Sequence, residues 1–388
     1  MRVAVSSRAL SRPAAFGCLA AFLLVGHASL GVPDEVDFLM PPRTYAGTRV
    51  LGLAGAFVGL ADDAGTVRVN PAGMMTIPRS FDVLLVPAGN GRGASPRSLA
   101  GALHPTRWIA VGFQWEQTGE GELATNDAVF GTSSDQAFRA LALSGGALGA
   151  AFVPNTRWGF GATLDMQRLS FSGSGLSETP HDWSTSFVGG IYFRPLNPEA
   201  PRLGLTYRHK ADWRFGDRST NLSPPGPYLV RVPAVVSAGV SWHYEVLKIS
   251  QATLSLQPDW VLYSQLTGGP PTPQRTRDDL DLRFGLEISL PSQCWTGCGS
   301  MTQLRIGVAN LSPRPFAAAR STRGSEAGQG LSRETHLSIG AALALRAVGH
   351  GRFKAEAAYD WATRTLAFGL GWRYPESFRA EIENHHRR

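Results

Sequence analysis

The chain has 388 residues, enough for one large core or two ordinary domains, with 44 glycines, 17% charged residues and 10% aromatics. Its formal charge of +7 comes from 37 basic against 30 acidic residues, and only Lys210, Lys248 and Lys354 are lysines. The arginines are scattered, no basic block forms, and zinc-finger and RNA-binding signatures are missing, which argues against nucleic acid as a partner.

In chain order, Arg2, Arg8 and Arg12 precede an apolar run from Ala14 to Val25, followed by the small-residue stretch HASLG. A cationic start, a short apolar centre and a cleavage region near Ala28 to Gly31 predict a signal peptide over 1–31. An apolar run of roughly 12 residues is too short for a hydrocarbon layer ~30 Å thick, and no later segment approaches the ~18 to 20 residues of a spanning helix. An exported chain without a transmembrane helix is therefore expected. Cys18 is then expected to leave with that peptide; the alternative, a lipoprotein cleavage site at Cys18, is disfavoured by bulky Phe16 where a small residue is needed.

Residues 32–80 do not alternate. They are rich in Gly and Ala, with a short helix expected around Leu51 to Asp62, and Asn70-Pro71-Ala72-Gly73 marks a turn of fixed geometry. From residue 81 the pattern changes to period two. WGFGATLDMQ sets Trp158, Phe160, Leu164 and Met166 against Gly159, Gly161, Thr163 and Asp165. LGLTYRHKADWRF sets Leu203, Leu205, Tyr207, Ala211, Trp213 and Phe215 against Gly204, Thr206, Arg208, Lys210, Asp212 and Arg214. DLRFGLEISL sets Leu282, Phe284, Leu286 and Ile288 against Asp281, Arg283, Gly285 and Glu287. These are strands with one apolar and one polar face. The expected spans are 81–88, 97–104, 107–117, 137–152, 156–171, 184–194, 202–215, 230–244, 251–265, 278–290, 302–310, 334–346, 351–361 and 363–373, with a polar tail over 374–388.

A soluble sandwich would turn the apolar faces inward, whereas an outer-membrane barrel turns them toward lipid. The export signal, the long strands and the aromatics near strand ends favour the barrel. The count is even, as a single-chain barrel requires, and long connections alternate with short turns. Trp115, Trp213, Trp260 and Trp361 then fall on the outer rim, and Trp158, Trp242 and Trp372 on the inner one. A compact segment ahead of a wide barrel has a natural place in the lumen, so 32–80 is expected to plug it. Asp62, Asp63 and Arg68 could then pair with wall charges.

The lumenal face carries Arg208, Lys210, Asp212, Asp281, Arg283, Glu287, Lys354 and Glu356. These groups form either a bracing ion-pair network or a ligand site, and Arg208 is the best single candidate for binding a carboxylate. Phe57, Val58, Met74 and Met75 either line a ligand path or pack against the wall. Cys294 and Cys298, in QCWTGCG, suit a small-loop disulfide better than a metal site, because no further His or Cys is adjacent. The histidines are scattered without a nucleophile motif, so no enzyme is expected.

GTRVLGLAGAFVGLADD followed by VRVNPAGM closely resembles the start of the FadL-type outer-membrane transport proteins, which carry long-chain fatty acids and other hydrophobic compounds. LGLTYRHKADWRF, RVPAVVSAGVSW, LQPDWVLYSQL, DLRFGLEISL and LRIGVANLSPRPF resemble that family's later strands, so the similarity spans about residues 43–373. The resemblance implies an all-β fold, a 14-stranded antiparallel transmembrane β-barrel with an N-terminal lumenal hatch over Gly47 to Met75. It implies a Gram-negative outer membrane, lipid and a hydrophobic small molecule as partners, passive uptake through apolar pockets, and no cofactor or metal. It specifies no protein partner. The loops at 118–136 and 172–183 are short and polar where a fatty-acid transporter displays a hydrophobic capture surface. Some relatives serve secretion or surface attachment, which gives the alternative of a non-transporting barrel subunit.

Overall fold

The computed structural model describes residues 36–39, 47–77, 80–87, 94–117, 138–173, 181–197, 199–215, 228–246, 250–265, 278–291, 301–311, 333–346, 352–361 and 365–373. The expected signal peptide, the tail over 374–388 and the Cys294/Cys298 pair lie outside them.

The strands are β1 (Val36–Leu39), β2 (Ser80–Pro87), β3 (Ala94–Leu103), β4 (Ile109–Gln117), β5 (Phe138–Phe152), β6 (Trp158–Gly173), β7 (His181–Phe193), β8 (Arg202–Arg208), β9 (Ala211–Phe215), β10 (Tyr228–Val232), β11 (Ala234–Val246), β12 (Ser250–Leu262), β13 (Asp279–Pro291), β14 (Met301–Leu311), β15 (Glu334–Arg346), β16 (Arg352–Asp360) and β17 (Thr365–Arg373). Fourteen of them close into an antiparallel barrel: β17 pairs with β2, and β8 pairs with β11 across the omitted β9 and β10. Closure gives every strand of the wall a paired neighbour on either side, which satisfies backbone groups that lipid cannot.

The period-two pattern holds as expected. Leu205 and Phe284 are 47% and 42% exposed on the outer surface, while Thr206 and Glu287, on the opposite parity, are 5% and 3% exposed. Trp115, Trp158, Trp260 and Trp361 are also exposed, with Trp158 stacked on Phe160 and Tyr359 edge-on to Trp361. A surface with this much outward aliphatic and aromatic area is a lipid-facing one.

Two expected strands depart from the pattern. Those over 202–215 and 230–244 are each broken, the first after Arg208 and the second near its start at Pro233. Their distal halves, β9 and β10, leave the wall and form a three-stranded sheet with β1. Ala211 and Trp213 are consequently 6% and 0% exposed, not lipid-facing, and Trp213 does not join the outer aromatic rim. Pro233 has no N–H for the ladder, which makes that position a natural break.

The hatch, residues 47–77, lies inside the barrel. It contains α1 (Thr48–Gly52), α2 (Thr66–Val69) and a 3-10 turn over Pro71–Thr76. The helix expected over Leu51 to Asp62 stops at Gly52, because Ala54, Gly55 and Ala61 take positive φ values of 49°, 83° and 36°, which a right-handed helix cannot continue.

Candidate functional site

The hatch approaches the wall as closely as backbones allow. A Cβ at Gly239 of β11 would overlap the backbone of Gly59, and one at Gly204 of β8 would overlap that of Val58. Gly161 of β6 and Gly307 of β14 meet Ala72 and Ala54 in the same way. These strand glycines all sit on the inward parity and admit the plug. Phe57 and Leu60 are fully buried within the hatch and Val67 and Met74 between hatch and wall, each contributing about 1.5–3 kcal/mol of apolar burial.

Hydrogen bonds then fix the hatch in register. Gln257 Oε1 of β12 accepts the backbone N–H groups of Phe57 and Val58, both at 2.9 Å. Thr163, Tyr192 and Ser241 donate to the carbonyls of Val67, Leu60 and Gly59 at 2.6, 3.1 and 2.8 Å. Asn70 Nδ2 donates to Val58 O at 3.0 Å, so the first residue of the Asn-Pro-Ala-Gly motif ties two hatch turns together. These bonds satisfy loop backbone groups that would otherwise be buried without partners.

Ion pairs add a second layer. Arg49 forks onto Glu287 of β13, with Nε and Nη2 at 2.8 and 2.7 Å from the two carboxylate oxygens. Its Nη1 reaches Asp62 at 2.5 Å and Asp63 at 3.7 Å. Burial alone disfavours the Arg49 charge, but Asp62, Glu287 and Asp63 outweigh it and hold the pKa above the ordinary arginine range. Glu287 also accepts from Arg305 Nε at 2.7 Å, and Arg305 continues to Glu356 at 3.0 Å, which pairs with Lys354. Across the lumen, Arg68 bridges Glu116 at 2.6 Å and Asp165 at 2.7 Å, and Arg208 Nη2 donates to Arg68 O at 2.9 Å. At the short-turn end His104 Nε2 lies 2.7 Å from Met74 O. Burial lowers the His104 pKa despite this backbone bond, so the ring stays neutral near pH 7 and donates its Nε2 proton.

Beside this plug lies a cavity of about 30 Å³, open on one side. Val58 and Val69 of the hatch form its floor, and Val188, Val235 and Val261 its apolar wall. Arg208, Asp259, Asp281 and Arg283 supply charge around it, with Arg283 Nε paired to Asp259 at 2.6 Å. The cavity thus joins an aliphatic surface to a charge-compensated rim.

No protein-family model matches the chain, and no curated protein matches it. Solved structures do. The CymD monoaromatic hydrocarbon channel superposes with a TM-score of 0.54 at 14% identity, covering 85% of this chain and 97% of that one. A Pseudomonas aeruginosa FadL homologue gives 0.53 at 12% identity, covering 86% and 99%. The Ralstonia pickettii toluene transporter TbuX gives 0.53 at 13%, covering 85% and 98%. The fold is that of a FadL-type barrel.

Within this FadL-type fold the expected site residues separate. Val58 and Arg208 border the cavity, together with Asp281 and Arg283. Phe57 packs with Val50, Leu53 and Leu60, Met74 with Val67 and Ile77, and Met75 against Ala61, Ala72 and Tyr192. Phe57 therefore serves the hatch's own core and Met74 and Met75 the hatch–wall core, and none of the three lines that cavity. Glu287, Lys354 and Glu356 do form one network, but Lys210 and Asp212 stand apart from it. They pair with each other at 3.6 Å, about a third exposed, because their strand leaves the wall. Pro71, Ala72 and Gly73 are buried in the 3-10 turn, the first two against Gly161 of β6 and Gly73 against Ala61 and Thr66 of the hatch. Arg49, Arg305, Gln257, Asp165 and Glu116 carry the hatch contacts and were not singled out from sequence. Arg305, Asp165 and Asp259 lie on polar strand faces, and the inward-facing glycines between such residues were the legible sign of a close-packed plug.

Proposed function

We propose that this protein is a channel of the Gram-negative outer membrane for passive uptake of compact hydrophobic molecules, with the hatch as its stopper. The observation that carries the reading is the valine-walled cavity resting on Val58 and Val69, at the junction of hatch and wall. The likeness in fold to a monoaromatic hydrocarbon channel and a toluene transporter agrees with it. A space of about 30 Å³ is close to the share of one water and smaller than an aromatic ring or an acyl chain, so either ligand enters only as the hatch shifts, and the preference for monoaromatic-sized ligands over long-chain fatty acids follows the channels of like fold. Entry needs no covalent step and no bound cofactor, because partition from water into an apolar site is downhill for such a molecule.

One observation favours a second reading, a barrel subunit of a secretion or attachment complex. The hatch is bonded to strands on both sides of the lumen, by Glu287 and Gln257 on one and by Asp165 and Glu116 on the other. A stopper held that firmly suits a scaffold as well as a channel.

Proteoliposomes charged with labelled toluene or labelled oleate distinguish the two. The channel reading expects toluene entry above that of protein-free vesicles, and loss of the increment in Val261→Phe, which fills the cavity. Equal entry with and without the protein rejects transport, and oleate entry exceeding toluene entry rejects the compact-ligand class.

A further inference from the structure

Three short connections of the barrel repeat one pairing of residues. Arg107-Trp108 precedes β4, Arg157-Trp158 opens β6, and Phe193-Arg194 ends β7. The first two read Pro-Thr-Arg-Trp and Pro-Asn-Thr-Arg-Trp, and in each a polar side chain fixes the turn. Thr106 Oγ1 accepts the N–H groups of Trp108 and Ile109 at 3.3 and 3.2 Å. Asn155 Oδ1 accepts those of Arg157 and Trp158 at 2.8 and 2.9 Å. Backbone bonds then join neighbouring connections: Val153 N donates to Trp108 O at 2.8 Å, and Arg194 N to Arg157 O at 2.7 Å. The three arginines are therefore rooted in one hydrogen-bonded row that runs from β3 to β8.

That row borders the apolar band of the wall. Next to it lie Ile109, Phe152, Trp158, Phe160 and Leu203, between 38% and 55% exposed. Trp158 packs on Phe193 with ring centres 4.6 Å apart, and the Arg107 guanidinium lies 4.6 Å from the ring centre of Trp108. Lipid head groups begin where such a band ends. The first and last strands of the barrel meet at the same rim, Ser80 opposite Arg373. In a barrel with short periplasmic turns this is the periplasmic side.

Protein groups do not balance the charge of the row. Among the described residues, none of Arg107, Arg157 and Arg194 has a carboxylate at ion-pair distance, and Glu199 is the one acid in the three connections. The arginines of the lumen differ, since Arg49, Arg68, Arg283 and Arg305 are all ion-paired. Arg202, at the start of β8, faces Asp62 at 3.9 Å. Arg157 and Arg194 stand on residues that share a backbone bond, and two such neighbouring cations repel unless an anion lies between them.

We propose that this row is a binding surface for acidic phospholipid of the periplasmic leaflet. The lipid phosphate lies against Arg157 and Arg194, Arg107 adds charge beside them, and the acyl chains run along Phe152, Phe160 and Leu203. A guanidinium fork matches phosphate oxygens, and cations just outside the hydrocarbon layer draw anionic lipid to the protein. Bound lipid then fixes the depth of this side of the barrel in the membrane. The surface acts from outside the lumen and does not depend on what the channel carries.

Native mass spectrometry of the full-length barrel in detergent, titrated with phosphatidylglycerol or with phosphatidylcholine of the same acyl chains, tests the assignment. The parent should retain phosphatidylglycerol in preference, and concentrated ammonium acetate should weaken that preference. Arg107→Gln, Arg157→Gln and Arg194→Gln should each lower the apparent affinity for phosphatidylglycerol about fivefold, and the triple variant should bind the two lipids alike. Arg333→Gln removes a cation at the opposite rim that already pairs with Asp279, and it should leave the preference intact. Equal retention of both lipids by the parent overturns the proposal, a result that needs no variant to assemble. So does an unchanged preference in a triple variant whose heat-modifiable mobility shows a folded barrel. Displacement of the lipid by inorganic phosphate alone would make the row a free-anion site instead. If the triple variant keeps its lipid but loses a protein cross-link from the exposed Leu196 in cells, the row docks a protein and the lipid assignment falls.

Discussion

Arg49→Met removes the cation at the centre of the longest ion-pair chain between hatch and wall. Arg49 and Glu287 side chains are 6% and 4% exposed, so neither charge can turn to water while the hatch is docked. After the substitution Glu287 retains Arg305 at 2.7 Å, Asp63 retains the N–H of Gly65 at 3.0 Å, and Asp62 faces Arg202 at 3.9 Å. Removing one partner from a buried pair costs about 3–5 kcal/mol, and the surviving Arg305 bond places this case near the lower end. At about 1.4 kcal/mol per tenfold, about 3 kcal/mol raises the undocked fraction of the hatch roughly a hundredfold. Leu60, wholly buried in the hatch cluster that contains Val50 and Phe57, reports the opening: a maleimide should label Leu60→Cys about a hundred times faster in the Arg49→Met background. Arg49→Lys, which keeps the charge and loses the fork, should fall between. A labelling rate within threefold of the parent, in a barrel that still shows heat-modifiable mobility, would refute the assignment of Arg49 as the hatch's main anchor.

Three further outcomes are expected. Burial lowers the His104 pKa on folding, so the stability contributed by the neutral ring is complete above the unfolded pKa of ~6.5 and is lost as pH falls through the depressed folded value, because the buried ring must then carry charge although its Nε2–H still donates to Met74 O; Leu60→Cys labelling should accelerate over that acid range, and His104→Gln should flatten the profile. Gly239→Val should undock the hatch or block assembly, because its Cβ meets the Gly59 backbone, whereas Gly189→Ala meets nothing within 4 Å and should be silent; equal thermal stability for both would contradict the close approach. Gln114 is 1% exposed with neither amide atom hydrogen-bonded, and an orphaned buried amide costs about 1–3 kcal/mol, so Gln114→Leu should hold or raise the melting temperature, and a clear drop would show that the amide has a bound partner.

Much of the barrel was readable because its physics is local. A residue's parity along a strand decides whether it meets lipid or lumen, and Leu282, Phe284 and Glu287 announce that choice within one short run. The failures share a cause. Trp213 and Ala211 fit the lipid-facing row, and only the inward bend at Lys210 and Pro233 buries them. Phe57, Met74 and Met75 are apolar residues in the right segment, but which apolar hatch residue meets a cavity and which meets a glycine depends on how the plug is turned. Arg49 and Arg305 lie 256 residues apart and meet through Glu287, a coincidence no sequence window contains.

The sequence by itself determined the alternating wall, the even strand number and the presence of a non-alternating leading segment, since each follows from side-chain type at fixed spacing. Only the tertiary structure decided how that segment sits, which charges it shares with the wall, and that one hairpin turns inward. Those outcomes depend on closing a ring of strands around the chain's own leading end, where distance along the chain no longer governs distance in space.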